Sequence, residues 1–182
     1  MYFKDERRFG LFTRNGKSIT PKGVKPVCPF VQDFRNSYMF GAFSPIAGSS
    51  LLLNMPYRNT ECVEVFLDEL SKQQLDEYKI LFFDIGAFHK ATRLVLPNNI
   101  ALCFLPPYSP ELNRAEKIWA FLKRKITINA FTKLVDFQKL MDNVIQKYLD
   151  KETIKSITHI NTFNTLHPNP LSTFTFYFLI LK

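Results

Sequence analysis

The chain has 182 residues, a net charge of +8 and a pI near 9.4, with 46% hydrophobic and 15% aromatic residues. That composition excludes a disordered chain, which could not bury so much apolar surface, and fits one domain with a real core. The charge points to a polyanionic partner, most commonly nucleic acid, or to a basic protein with no such partner, and no apolar run approaches the ~20 residues of a membrane span.

Residues 2–12, YFKDERRFGLF, alternate loosely and carry aromatics, which predicts a strand holding Asp5 and Glu6. Residues 13–29 collect Gly16, Pro21, Gly23, Pro26 and Pro29 among lysines and read as a long connection. SYMFGAF (37–43) and SLLLNMPY (50–57) are two more strands around a turn with Pro45 and Gly48, and three consecutive strands favour an antiparallel meander. From Thr60 the period becomes helical through Val63, Phe66, Leu67, Leu70 and Leu75, with Asn59 or Thr60 as cap. Asp68, Glu69, Asp76 and Glu77 lie among polar neighbours and read as solvated surface.

KILFFDI (79–85) is a continuous apolar run suited to a strand buried on both faces. A brief helix is expected over 87–96, then a strand over 100–105 and helices over about 112–126 and 134–149. This order predicts a ribonuclease-H-like α/β fold, a mixed five-stranded sheet in which parallel strands extend the meander and helices pack on it. Cys28, Cys62 and Cys103 are far apart with no Cys-x-x-Cys pair, so they read as reduced thiols. The charged start MYFKDERRFG lacks the apolar run of a signal peptide, which predicts a cytoplasmic protein.

Asp84 ends an apolar strand, where ligands of mixed sheets gather, although a strand-ending Asp also commonly caps the next element. Glu116 sits in the first turn of a helix whose stripe is Ala115, Ile118, Trp119, Leu122 and Ile126, and its face is shared by Ala120 and Lys123. Acids favour that end of a helix in any protein. The lead-in LPPYSPEL, however, is a rigid connection that sets where the helix begins, with Ser109 or Asn113 at hand for its free amides. Asp5 is the best third carboxylate, because the first strand runs beside the strand of Asp84, and Glu6 must point to the other face.

FFDIGAFHKA followed by FLPPYSPELNRAEKIWAFLKRKI resembles the catalytic core of DDE transposases of the mariner superfamily, in its bacterial insertion-sequence branch. KDERRFGLF and KSITPKGVKPV resemble the opening of the same domain, so the likeness runs from about Phe3 to Leu149. It departs from the family pattern at Ile85, usually Asn, at Arg114, usually Pro, and at Ile19, often Trp.

The resemblance implies a metal-dependent DNA endonuclease and strand transferase that cuts and joins the ends of an insertion element. Asp5, Asp84 and Glu116 are the implied catalytic carboxylates and ligands of two Mg²⁺ or Mn²⁺ ions, since hard oxygens suit those metals. His89 matches a histidine that follows the second Asp, and reads as a packed helix-start residue ahead of a catalytic proton carrier. Lys117, Lys123, Arg124 and Lys125 are expected to contact DNA phosphates, or to be a solvated basic helix end favoured by the dipole.

The implied partners are DNA, as terminal repeats and target, and a second copy in a homodimer acting near the bacterial nucleoid, with no membrane. Family members carry a helix-turn-helix region, expected here as an upstream-frame polypeptide. The expected division is a catalytic domain at 1–150 and an atypical, Phe-rich tail at 151–182. Two other readings share these residues: another ribonuclease-H-like nuclease, and a catalytically silent transposase fragment that binds DNA or a full-length partner.

Overall fold

Alternation along the first strand decides how the sheet is covered. In the computed structural model, which describes residues 1–10, 20–25, 36–84, 94–106, 109–126 and 133–159, five strands form one sheet. They are β1 (Tyr2–Gly10), β2 (Asn36–Phe43), β3 (Ser50–Met55), β4 (Lys79–Asp84) and β5 (Ile100–Leu105), in the order β3-β2-β1-β4-β5. β1 to β3 pair antiparallel, while β4 and β5 extend the sheet parallel to β1. Helices α1 (Thr60–Lys72), α2 (Ala115–Lys125), α3 (Leu134–Tyr148) and α4 (Lys151–Thr158) complete the described chain. This is the ribonuclease-H-like α/β arrangement expected from the element order.

Each face of the sheet has its own core. Tyr2, Phe40, Leu81 and Phe83 meet Val63, Phe66, Leu67 and Leu70 of α1. Phe3, Met39 and Phe43 point the other way, into Ile118, Trp119 and Leu122 of α2, Met141 of α3 and Ile154 of α4. Full burial of each such side chain contributes about 1.5–3 kcal/mol, so the two apolar layers hold the sheet from both sides. No helix of the described residues is long and apolar enough to cross a membrane.

Several local features differ from the sequence expectation, each for a local reason. Asn59 caps α1 by accepting the Cys62 amide at 3.0 Å, but Gln74 turns into the left-handed region at φ 48° and Leu75 is left exposed beyond the helix. Glu77, expected in solvent, has Oε2 buried without a hydrogen-bond partner. The buried Lys79 amine tightens that turn on the Gln74 and Glu77 carbonyls at 3.0 and 3.3 Å.

Residues 94–96 are not helical; the Val95 amide instead donates to Glu64 of α1 at 3.0 Å. The rest of the helix expected there, with Ile85 and His89, lies outside the described residues, as does Cys28. α2 begins at Ala115 rather than near 112, because Pro110–Leu112 forms a single 3-10 turn, a place where proline's missing amide is harmless.

α4 has no counterpart in the expected elements. Asp150 caps it by accepting the Thr153 amide at 2.7 Å, and Ile154 is buried in the core with α2. Gly48, at φ +69°, turns between β2 and β3 directly against the Lys151 carbonyl, where any Cβ would overlap. The packed core therefore continues past residue 150 to Thr158. Residues 160–182 of the expected tail lie outside the described residues.

Candidate active site

Two parallel strands bring the first two carboxylates level. Tyr2 pairs with Leu81 and Phe3 with Phe82, and the Phe3 and Phe82 rings stack with centroids 4.8 Å apart. Two residues further along each strand stand Asp5 and Asp84, on the same face as the stacked rings by the two-residue period. The β1–β4 ladder ends at Phe3 and Phe82, whereas β4 stays paired with β5 up to Asp84 and Leu105. The sheet thus opens between β1 and β4 at the carboxyl ends of its parallel strands, the usual place for a site in such sheets.

The face that carries Asp5 is the face covered by α2. Phe3 lies in the core with Ile118 and Trp119, and Asp5 and Arg7 follow on the same side of β1. Glu116, in the first turn of α2, is near enough for its charge to act on Asp5. Burial, then the Glu116 charge, push the Asp5 carboxyl up to about 7, against smaller lowering effects from Lys4, the Trp119 indole and Arg7. Arg7 Nη1 also approaches Glu116 Oε2 at 3.9 Å, with both side chains about two-fifths exposed. Glu6 points to the opposite face, as expected, and pairs with the Lys4 amine. That amine is buried over the Phe83 and Phe40 rings at 4.1 and 4.8 Å, and burial lowers its pKa well below the ordinary lysine value.

Three residues that complete this face have roles which single-residue reading does not reveal. Asn113 is buried; its Nδ2 donates to the Lys4 carbonyl and its Oδ1 accepts the Ala115 amide, both at 3.1 Å. Trp119 packs edge-on to Phe43 at 5.6 Å and leaves its buried Nε1 without a geometric hydrogen-bond partner, on the Asp5 side of the helix. Gly41, paired with Asp5 across the sheet, makes room: a Cβ there would lie 2.9 Å from Trp119 Cζ2 and 2.7 Å from the Phe43 ring. A glycine inside a strand pattern signals such close approach, and the Asn-x-x-Glu-x-x-Trp spacing marks the other two.

The basic residues of α2 divide between two sides of the helix. Lys117, Lys123, Arg124 and Lys125 are all exposed. Lys123 lies within about 20° of Glu116 around the helix axis and Lys125 about 180° away. The Lys125 amine rests over Tyr148 at 4.8 Å and Phe121 at 5.4 Å, on the flank turned toward α3.

Asp5, Asp84 and Glu116 offer only hard carboxylate oxygens, the donors that Mg²⁺ and Mn²⁺ suit. A desolvated acid held beside a second acid, as Asp5 is beside Glu116, gains strongly from a nearby cation. The donor chemistry therefore fits. Among the described residues, no three Asp, Glu, His or Cys side chains are gathered closely enough to hold an ion as they stand, and repulsion among carboxylates opposes such gathering.

Comparison with known proteins agrees with this architecture. Residues 1–138 match the family described as DDE superfamily endonuclease. An uncharacterised protein of Sinorhizobium fredii, y4pE/y4sA, is 39% identical over 88 residues, 48% of this chain and 65% of that protein. A Mos1 transposase paired-end complex with left transposon end superposes with a TM-score of 0.65 at 15% identity. Mos1 mariner paired-end complexes with Mn and with Mg give TM-scores of 0.59 and 0.58 at 15% and 18% identity. In all three the match covers 87% of this chain and 51% of the Mos1 chain, so the chain spans about half the length of those relatives and shares their fold. With three quarters of its length inside the family match, the chain belongs to the DDE superfamily of endonucleases and has the fold of the Mos1 transposase catalytic domain.

Proposed function

We propose that the chain is the catalytic domain of a transposase, a metal-dependent DNA endonuclease and strand transferase acting at the ends of an insertion element. The observation that carries this reading is the coupling of Asp5 to Glu116 across β1 and α2, with Asp84 level with Asp5 on β4. Asp5, Asp84 and Glu116 would hold two Mg²⁺ or Mn²⁺ ions, which when bound make a water or a DNA 3′-hydroxyl nucleophilic and stabilise the leaving oxygen.

The chain's own residues prepare that site. The Asp5 carboxyl, pushed up to about 7 by burial and then by the Glu116 charge, would give up its proton on binding a cation. Arg7 steadies Glu116 from the solvent side, and the buried indole of Trp119 acts on Asp5 to favour its ionised form. Lys117, Lys123 and Arg124 line the outer surface of α2 and orient the phosphate backbone. Lys125 contributes less, being held over aromatic rings. The Mos1 structures are paired-end complexes; by analogy two copies of this chain hold two DNA ends, with a helix-turn-helix polypeptide reading the terminal repeats. The catalytic unit in this reading is residues 1–150 together with α4, working on bacterial DNA in the cytoplasm.

Cleavage and joining of labelled DNA ends with Mg²⁺ is the test, using wild type, Asp5→Asn, Asp84→Asn and Glu116→Gln. Loss of metal-dependent cleavage in each variant is expected, and equal activity in Asp84→Asn would remove the assignment. A second reading is a catalytically silent fragment that only binds DNA or a full-length partner. It predicts salt-sensitive DNA binding with no thermal stabilisation by Mg²⁺.

A further inference from the structure

We propose that Asn113 is the positioning residue of this site, setting Glu116 against Asp5 by tying the first turn of α2 to the main chain of β1. The inference rests on the transposase reading above. Asn113 Nδ2 donates at 3.1 Å to the Lys4 carbonyl, part of the peptide whose nitrogen belongs to Asp5. Asn113 Oδ1 accepts the Ala115 amide at 3.1 Å, and the Asn113 carbonyl accepts the Glu116 amide at 3.1 Å. One residue thus holds the backbone of Asp5 at one end and the backbone of Glu116 at the other.

The arrangement asks for asparagine rather than for any helix-start residue. Free amides at a helix start are satisfied by Ser, Thr, Asp or Asn alike. The asparagine amide presents an acceptor to Ala115 and, on a separate atom, a donor that reaches Lys4, a span that one hydroxyl oxygen does not bridge, and only one orientation of that amide matches donor to acceptor at both ends. The link spans 109 positions of sequence and is buried. The β1–β4 ladder ends at Phe3, and Asn113 takes hold of β1 at the next residue. Displacing a catalytic group by about 1 Å costs on the order of 10²-fold in rate, and this tie is what sets the separation of two carboxylates on different elements.

Asn113→Ser keeps a helix-start acceptor but is too short to reach Lys4; Asn113→Asp keeps the acceptor and loses the donor. Either variant of the full chain suffices once circular dichroism shows it folded. Both are expected to lose about 10²-fold in kcat for Mg²⁺-dependent DNA cleavage, with KM for DNA unchanged. Mn²⁺ titration, read through the emission of Trp119, the only tryptophan, is expected to need about 10-fold more metal in the variants, the kind of loss that displaced supporting groups cause. A folded variant with wild-type kcat and a wild-type Mn²⁺ midpoint overturns the proposal while leaving the transposase reading intact. Wild type that neither cleaves DNA nor responds to Mn²⁺ overturns both. Wild type that responds to Mn²⁺ without cleaving, with the response weakened in the variants, removes the activity and upholds the positioning role.

Discussion

Asp5 on β1 and Glu116 on α2 lie 111 positions apart in sequence (116 − 5) and on one face of the sheet, where burial and, after it, the charge of Glu116 push the Asp5 carboxyl up to about 7. Two acids so arranged store electrostatic free energy that a proton or a cation releases.

The first consequence is a pH dependence of stability. Below about 3.8, the ordinary value, Asp5 is protonated folded and unfolded; between there and about 7 the folded state alone keeps the proton. The stabilisation is therefore complete at low pH and lost as pH rises through 7, by at most about 1.4 kcal/mol per pH unit. Without added metal, urea midpoints of wild type should fall between pH 4.5 and 7.5 relative to Asp5→Asn, which lacks this titration.

Divalent metal should reverse that slope. A cation competes with the Asp5 proton, so Mg²⁺ or Mn²⁺ should raise the melting temperature more at pH 8 than at pH 5. Asp5→Asn and Glu116→Gln should each abolish most of the shift, and equal shifts at both pH values would count against Asp5 as a ligand.

Arg7 separates electrostatics from stability. Its contact with Glu116 is long and half-exposed, so Arg7→Ala should cost under about 1 kcal/mol of stability. It should nonetheless raise the Asp5 pKa further, because Arg7 is one of the groups that lower it. Carboxyl titration by NMR, wild type against Arg7→Ala, measures the difference.

Gly41→Ala should be costly despite its small size. The new methyl would sit 2.7–2.9 Å from the Phe43 and Trp119 rings, and overpacking of this kind costs about 1–3 kcal/mol. A shift in Trp119 emission together with a lower urea midpoint is expected, since the indole must move off β2.

DNA binding should distinguish the basic residues of α2. Lys123→Gln and Arg124→Gln should each reduce the slope of log affinity against log salt by about 1, as lost phosphate contacts do. Lys125→Gln should change it least, because its amine already rests over Tyr148 and Phe121.

Much of the architecture was legible in the chain because it depends on near neighbours. Alternation in β1, the apolar run of β4 and the stripe of Ile118, Trp119 and Leu122 each follow from period alone. The opposite facing of Asp5 and Glu6 follows from the two-residue repeat. α4 is not legible as a separate element because it is only eight residues long, too short to be a stable helix by itself, and its stability comes from Ile154 entering a core built elsewhere. Leu75 fits the helical spacing yet lies beyond the helix, because spacing does not show where the left-handed turn at Gln74 closes it off.

The site divides along the same line. Its carboxylates, the proline lead-in and the Asn-x-x-Glu-x-x-Trp spacing were determined by the sequence itself, since each is a matter of residue type and local geometry. Tertiary structure alone decided that Asn113 grips the Lys4 carbonyl, that Trp119 rests on Gly41, and that burial and the Glu116 charge push the Asp5 carboxyl up to about 7. Desolvation, steric fit and charge coupling depend on distances between residues about 80 to 110 positions apart, and those distances exist only once the chain has folded.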